Sequence, residues 1–355
     1  MIKVTNNSVC IRLNNEELNL PFLWLRDNCQ CDDCRITETQ EKQFLLHTVP
    51  IDISPENVKQ LGEDLVIRWP DKHKSIIPLN KIKECSAPRY PNQKFWPKSF
   101  IPNYFEWHGF LNKKEVALEA LKDFLTYGVI ILNDAPTKSN SLELLAKRLG
   151  PIHETLFERI HNVSVTGHVY NVAHTSKGLP PHNDFASYKS QPSVQALHML
   201  KNECDGGESI IVDGWQLIKD LREEHPNYFE ILKVFDVPFR EFDEKNETYA
   251  EAPLIRCSSN GSVESFRFSN QLMQMIDPTR KGLKDFYEAY HEVSKRVHNS
   301  KYRSTFRLNG GEVLIVASHR VLHAREPFIP NGKRHLQDAY FVYDNAANNM
   351  VLLSS

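Results

Sequence analysis

The sequence predicts a mainly β protein with flanking helices. Residues 96–355 are expected to form a double-stranded β-helix (jelly roll), and residues 1–95 a small zinc-binding β domain. Three observations carry this reading. Apolar runs of strand length recur along the chain, separated by glycine, proline and asparagine turns. The few stretches at helical spacing fall between those runs, as they would if helices lay outside a barrel. Two histidines 141 positions apart, His182 and His323, each sit in strand-like sequence, and a barrel mouth is where strands distant in sequence converge.

Taken in order, Val9-Cys10-Ile11-Arg12-Leu13 alternates, and Leu65 to Trp69 does so in part. Ala87 to Asn92 and then Trp96-Pro97 cannot continue a helix and read as a linker. A helix is predicted from Asn112 as N-cap, with Glu115 three residues on. Its stripe is Val116, Leu118, Leu121, Phe124 and Leu125, and Gly128 ends it. Val129 to Leu132 reads as a buried strand, and a second helix runs from about Ser141 to Leu149, stopping at Gly150-Pro151. Beyond Leu179 strands are expected at 194–200, 208–212, 312–316 and 338–343, the second and third each introduced by a Gly-Gly pair. Helices are expected near 215–233 and 283–297.

A chain of 355 residues can bury one large core or two modest ones. With 43 basic and 45 acidic residues there is no basic block to hold nucleic acid. No apolar run approaches the ~20 residues of a membrane span, so no membrane partner is expected. The N-terminus lacks the apolar core of a signal peptide and the Arg-rich face of a transit peptide, and the expected location is the cytoplasm. Three of the seven cysteines fall within six positions, which in a cytosolic chain favours a metal over disulfides. Cys10, Cys85, Cys204 and Cys257 stand alone and read as small buried hydrophobes.

The chemistry is concentrated in His182-Asn183-Asp184 and His323. Two imidazoles and one carboxylate on one face of an octahedral ion leave the opposite face open, the ligand set of non-haem Fe(II) oxygenases. Ser209 follows Asp184 by 25 residues, and Arg334 follows His323 by 11. An arginine so placed can reach back to the pocket and hold a dicarboxylate bidentately. His319 lies near the same strand end but outside this ligand set. In the N-terminal part, Cys29-x-Cys31-x-x-Cys34 supplies three thiolates on a tight turn. Zinc takes four such ligands when its role is structural, and His47 and His73 are the local candidates for the fourth. The flanking Asp27, Asp32, Asp33, Glu38 and Glu41 would repel phosphate, which argues against a nucleic-acid-binding finger.

His182-x-Asp184, Ser209, His323 and Arg334 together resemble the 2-oxoglutarate dioxygenases of the taurine dioxygenase superfamily. Longer stretches are more closely similar to the γ-butyrobetaine and trimethyllysine dioxygenase family. They are Trp24-Leu25-Arg26-Asp27-Asn28-Cys29-Gln30-Cys31-Asp32-Asp33-Cys34, Trp69-Pro70-Asp71-x-His73, Asn171-Val172-Ala173, Gly206-Gly207-x-Ser209 with Val212-Asp213-Gly214, and Arg334-His335-Leu336.

The resemblance implies a small-molecule substrate, O₂ and 2-oxoglutarate as cosubstrates, Fe(II) on His182, Asp184 and His323, and a homodimer. Arg334 would hold the distal carboxylate of 2-oxoglutarate with help from Ser209, and His73 would complete a structural zinc. Asp184 argues for hydroxylation, since halogenating relatives carry a small residue there. It also implies an aromatic cage for a trimethylammonium group, falling on Phe157, His161, His174 and Tyr340. Asn171, with Asn270 as a second candidate, would bind the substrate carboxylate, and Phe185 stands where a tyrosine donor is expected. Only Tyr340 has the cage's expected residue type. Imidazoles are poorer partners for a quaternary cation than tryptophan or tyrosine, so γ-butyrobetaine is expected to be a poor substrate and a less methylated amine of similar length a better one. The expected function is hydroxylation of a small carboxylate-bearing amine or betaine. The alternatives are a trimethyllysine or other free amino-acid hydroxylase and, in another class, a non-catalytic metal-containing jelly-roll binding protein.

Overall fold

Antiparallel strand pairing accounts for every sheet but one edge pair, Tyr104–Glu106 with Val129–Asn133, which is parallel. The computed structural model describes residues 2–13, 16–96, 98–164 and 172–354. The chain divides into two units, Met1–Arg89 and Tyr90–Ser355. The division falls inside the proline-rich stretch read as a linker. Lys94 to Trp96 nevertheless belongs to the second unit, because Trp96 is buried there. Its backbone N–H donates to Asp213 (3.1 Å) and its indole N–H to the Tyr127 carbonyl (2.8 Å).

The first unit holds two three-stranded sheets. One comprises Lys3–Val4, Ser8–Leu13 and Glu16–Pro21, the other Asn57–Leu61, Asp64–Arg68 and Lys74–Pro78. Alternation places Val9 and Ile11 of one sheet and Leu65 and Ile67 of the other in a shared core with Trp69 and Leu25. Two short helices, Phe22–Asp27 and Leu79–Ser86, escape a strand-and-turn reading of this region. Cys85, expected to be buried, is exposed on the second of them, while Cys204 is buried as expected.

The second unit is built on a four-stranded sheet and a six-stranded sheet. The first has the order Leu179–His182, Val321–Arg325, Ser209–Asp213, Arg303–Phe306. The second has the order Tyr104–Glu106, Val129–Asn133, Glu312–Ala317, Val194–Asn202, Arg334–Phe341, His161–Ser164. Ile211, Val321, Leu197, Met199, Leu314 and Val316, drawn from both sheets, share one apolar cluster. Helices cover the outside. Gly214–Glu224, Pro226–Val234 and Leu283–His298 pack together, and Lys114–Tyr127 lies with the C-terminal helix Tyr343–Ser354.

Asn112 is not the cap of the Lys114–Tyr127 helix. It closes a separate six-residue helix, Trp107–Asn112, and its amide donates to the His108 carbonyl (3.1 Å). Burial of Trp107, Phe110 and Leu111 pulls that turn into the core. The long helix buries Ala117, Ala120, Leu121, Phe124 and Leu125. It stops at Gly128, whose φ of 78° suits glycine. The expected 141–149 helix is a 3₁₀ turn, Ser141–Leu145, followed by one α turn, Ala146–Leu149. The last strand is Arg334–Phe341, so Tyr343 begins the C-terminal helix and does not end a strand.

One buried ion pair connects these layers. Arg320 donates to both Asp213 oxygens (3.1 and 2.7 Å), and each residue's side chain is only 2% exposed. Asp213 also caps the Gly214–Glu224 helix by accepting from Trp215 and Gln216. The remaining Arg320 donors reach the Thr126 and Lys94 carbonyls (3.0 and 2.6 Å). Removing one side of such a pair strands a buried charge. Arg320→Ala is therefore expected to lower unfolding stability by ~3–5 kcal/mol. The double replacement Arg320→Met with Asp213→Leu should cost less than the two single changes added, which denaturant titration of the three variants measures.

Candidate active site

The site starts from strand register. Val321–Arg325 lies between Leu179–His182 and Ser209–Asp213. His182 and His323 are direct cross-strand partners, with ring centroids 4.4 Å apart. Their distance in sequence thus collapses to the spacing of one antiparallel pair. The register shifts between Leu179 and His182, the ladder closes on the His182–His323 pair, and the chain then turns through Asn183 and Asp184. Phe185 takes a positive φ of 52°, unusual for an aromatic residue.

Asn183, the unspecified middle residue of the H-x-D step, proves to be its clamp. It is buried, its amide donates to the Ser318 carbonyl (2.6 Å), and its oxygen accepts from the Phe268 N–H (2.7 Å). Its backbone N–H donates to the Phe268 carbonyl (2.8 Å). Arg267 secures the following turn by donating to the Ala186, Tyr188 and Lys189 carbonyls.

The ligand atoms fit a metal ion. One Asp184 oxygen lies 3.1 Å from His182 Nε2, the other 3.9 Å from His323 Nε2, and one atom from each residue falls within 4.8 Å of the others. Bonds of ~2.1 Å at right angles put adjacent ligand atoms about 3 Å apart. His182 Nδ1–H donates to the Pro180 carbonyl (2.9 Å), which leaves Nε2 as the lone-pair nitrogen toward Asp184. His319 is not part of this cluster. It packs between Trp215 and Tyr343, with Nδ1 toward the Ser193 carbonyl.

The six-stranded sheet supplies the support. Gln195 and Tyr340 are cross-strand partners, and both donate to Asp184 Oδ2 at 2.6 Å. Both also reach Asp338 Oδ2 (2.9 and 2.8 Å). Burial raises the Asp338 carboxyl, with Asp184 adding to it. Gln195 and Asp338 carried no sequence signal beyond their place in alternating strands, because nothing in one dimension shows which strands face each other.

The cavity beside these residues measures about 330 Å³. Arg334 lines it, and among the described residues its guanidinium has no hydrogen bond or ion pair, while Nε is fully buried. Burial lowers its pKa to about 10, helped by Arg325 and Arg307, so it remains a cation at neutral pH. Gly206 and Gly207, at φ of 81° and 73°, pass close to the Pro327–Phe328 backbone on this side of the cavity. A Cβ on Gly206 would come 2.7 Å from the Pro327 carbonyl oxygen, and one on Gly207 3.5 Å from Arg334 Nε. Ser209 lines the same cavity. Arg325 also lines it, but its donors are committed to the Ala173, Thr175 and Lys177 carbonyls (3.0, 2.7 and 2.8 Å).

Phe157, His161, His174, Phe185 and Tyr340 all line the cavity. Phe185 contacts the rings of Phe157, His161 and Tyr340 at 5.0–6.0 Å. His161 Nδ1 faces Asp338 at 3.6 Å, and His174 Nε2 lies 3.2 Å from the Asn162 carbonyl. Tyr340 lines the cavity, and its hydroxyl lies 2.6 and 2.8 Å from the Asp184 and Asp338 carboxylates. Asn270 is a correction. It is exposed and outside the cavity, accepting from Tyr290 Oη (3.1 Å), because the chain there turns Ser269 and Gln271 inward instead. Asn171 lies outside the described residues.

In the first unit, Cys29, Cys31, Cys34 and His73 converge. His73 Nε2 stands 3.3, 3.7 and 3.5 Å from the three sulfurs, and Cys29 and Cys31 are 3.5 Å apart. A tetrahedron with zinc–sulfur bonds of ~2.3 Å and zinc–nitrogen bonds of ~2.0 Å has edges of about 3.5–3.8 Å, so the donors fit that ion. Asp71 orients the His73 backbone (3.0 Å), and Arg26 joins Asp71 (3.1 Å) to Cys34 (3.5 Å). His47 is exposed and takes no part.

Residues 101–340 match the family described as taurine catabolism dioxygenase TauD, TfdA, and residues 2–77 match the N-terminal region of γ-butyrobetaine hydroxylase-like proteins. The chain is 32% identical to a γ-butyrobetaine dioxygenase of Pseudomonas sp. (strain AK-1), over 94% of this chain and 90% of that one. It is 25% identical to the mitochondrial trimethyllysine dioxygenase of Rattus norvegicus, over 95% and 83%. In structure it resembles a taurine dioxygenase from Burkholderia xenovorans, with a TM-score of 0.53 at 14% identity, covering 71% of this chain and 91% of that one.

The support of Asp184 by Gln195 and Tyr340 has a measurable consequence. Tyr340→Phe removes one of the two donors to Asp184 Oδ2, and loss of such a partner typically weakens metal binding ~10–100-fold. Titration of the apoprotein with Co(II) is expected to show this weakening. An unchanged dissociation constant would mean that the hydroxyl does not support the ligand.

Proposed function

The chain belongs to the γ-butyrobetaine and trimethyllysine dioxygenase branch of the TauD/TfdA family of 2-oxoglutarate-dependent dioxygenases, and from that premise we propose that it hydroxylates a small carboxylate-bearing amine or betaine. One observation carries the reading. The His182–Asp184–His323 cluster lines one cavity with Arg334, whose guanidinium lies over the Phe328 ring and has no hydrogen bond or ion pair among the described residues. A metal site with a buried cation nearby is what a chelating dicarboxylate requires.

In this reading Fe(II) is held by His182, Asp184 and His323, and with 2-oxoglutarate and O₂ it supplies the oxidising power to hydroxylate a C–H bond, yielding succinate and CO₂. Arg334 receives the distal carboxylate of 2-oxoglutarate in a charge-assisted pair, and Ser209 donates to it. Pro180 keeps the His182 tautomer fixed. Gln195 and Tyr340 hold Asp184 Oδ2, so the ligand carboxylate keeps its orientation without reorganising. Phe157 and Phe185 present apolar walls that exclude water from the substrate side. Cys29, Cys31, Cys34 and His73 hold a structural zinc, whose four protein ligands leave no position for substrate. Trimethyllysine hydroxylation is the second reading, favoured by the similarity to the rat enzyme. We place the protein in the cytosol, in keeping with its cysteines being unpaired. The homodimer implied by the resemblance is tested by sedimentation equilibrium.

Anaerobic addition of Fe(II) and 2-oxoglutarate is expected to produce a weak visible charge-transfer band, and a substrate panel under air to release succinate. A binding module would give neither. His182→Ala, Asp184→Ala and His323→Ala should each abolish succinate release with the fold intact, while His319→Ala retains iron. Near-normal turnover in any two of the three would sink the assignment. Arg334→Met should raise the 2-oxoglutarate requirement about a hundredfold or more while leaving Fe(II) binding nearly intact.

For the zinc, elemental analysis should find about one ion per chain. Cys31→Ser is expected to lose it and lower the melting temperature without removing iron. Carefully prepared wild type that lacks zinc would refute the assignment.

A further inference from the structure

The cavity contains a carboxylate that the reading above leaves unused. Glu241 comes from the hairpin of Val237–Phe242 and Glu247–Ala252 and lines the cavity with His182 and Asp184. Among the described residues, neither of its carboxylate oxygens has a hydrogen bond or ion pair. The basic residues around it are occupied elsewhere. Arg240 forks onto Glu247 (3.0 and 2.8 Å), Arg267 holds three carbonyls, and Arg325 holds three more. Thr248, its cross-strand partner, shares a hydrogen bond with Ser187 (2.7 Å) and approaches the Glu241 backbone carbonyl (3.4 Å), not the carboxylate.

A second unpartnered group lies on the same cavity wall. Ser269 Oγ is buried with no hydrogen-bond partner among the described residues. A half-buried carboxylate and a buried hydroxyl without partners lose water that a ligand's donors can replace.

We propose that Glu241 receives the cationic nitrogen of the substrate, and that this nitrogen is a primary or secondary ammonium with N–H groups to donate. The proposal rests on the dioxygenase reading for the position of the substrate, and it narrows the substrate class. A quaternary nitrogen offers Glu241 charge but no hydrogen, and leaves both carboxylate oxygens without a donor. An N–H ammonium gives a charge-assisted hydrogen bond, about twice as strong as a neutral one. The rest of the wall agrees. Beside the rings of Phe157, Phe185 and Tyr340, the lining carries an imidazole, His161, and a hydroxyl, Ser269, and both are weaker partners for a quaternary cation than a tryptophan or tyrosine face. A site lined by hydrogen-bonding groups discriminates sharply against an analogue that leaves them unpaired.

The test uses the enzyme loaded anaerobically with Fe(II) and 2-oxoglutarate. Linear ω-amino acids are titrated in calorimetric pairs, each as the free amine and as its N-trimethyl form, beginning with 4-aminobutyrate and γ-butyrobetaine. Succinate release under air is measured in parallel. Wild type is expected to bind the free amine of the best-fitting length more tightly than its trimethyl partner. Glu241→Gln should weaken the free amine about ten- to a hundredfold and narrow the gap between the two forms. Glu241→Ala should do the same, and because the Glu241 carboxylate has no hydrogen bond or ion pair among the described residues, neither variant should lower the melting temperature.

Preference of the wild type for the trimethyl form overturns the proposal whatever the variants do. So does unchanged amine affinity in both variants, or the absence of any amine binding. Succinate release decides the other question. If binding depends on Glu241 but no amine drives succinate formation, the amine site stands and the dioxygenase reading falls. If succinate forms but amine affinity ignores Glu241, the reverse holds.

Discussion

The Arg320–Asp213 ion pair fixes the relation between the strand that carries His323 and the rest of the second unit. Asp213 ends the Ser209–Asp213 strand and starts a helix, and Arg320 immediately precedes Val321–Arg325. Joining them sets the register of that strand on its neighbour. Register matters here because a shift of one residue would turn His323 to the opposite face of the sheet. Burying two charges costs several kcal/mol per ion before compensation. Here each Arg320 nitrogen makes at least one hydrogen bond, two of them to carbonyls, and Asp213 accepts three backbone N–H groups besides. The pair is thus satisfied on all sides, the condition under which a buried ion pair specifies a structure.

Two sheets then divide the work at the site. The four-stranded sheet presents the imidazoles, and the six-stranded sheet presents Gln195, Asp338 and Tyr340, which hold the ligand carboxylate. Asp184 sits on the turn between them, clamped from behind by Asn183 and Arg267. A ligand on a loop would ordinarily be less precisely placed than one on a strand. Three independent sets of hydrogen bonds compensate for that freedom. The cavity beside them is lined by a cation, Arg334, and an anion, Glu241, neither of which has a hydrogen bond or ion pair from its side chain among the described residues.

The first unit solves a different problem. Fewer than 90 residues in two small sheets bury a limited core, centred on Trp69 and Leu25. At that size a metal staple adds stability that packing alone does not reach. The cluster is tied to the core through Arg26, itself buried, which reaches both Cys34 and Asp71. The motif Trp24 to Cys34 therefore encodes a short helix, its buried arginine and three sulfur ligands together.

Much of this was legible in one dimension. The sequence by itself determined the β-rich class, because alternation and turn residues act locally. It also marked the local part of each candidate ligand set, because H-x-D and Cys-x-Cys-x-x-Cys keep their donors close in sequence, whereas His323 and His73 come from distant strands and turns. Arg334 stood out because an arginine near a strand start, past a second histidine, has few structural uses. What tertiary structure alone decided were the partners across space. Nothing local distinguishes Gln195 and Asp338 from other strand residues, or shows that Asn183 is a clamp. The exposure of Asn270 and the inward turn of its neighbours depend on how one loop packs, and so does the place of Glu241 on the cavity wall. Helix boundaries shifted for the same reason. Burial of Trp107, Phe110 and Leu111 outweighed the capping signal at Asn112, since core packing contributes several kcal/mol per large side chain and a cap only about one.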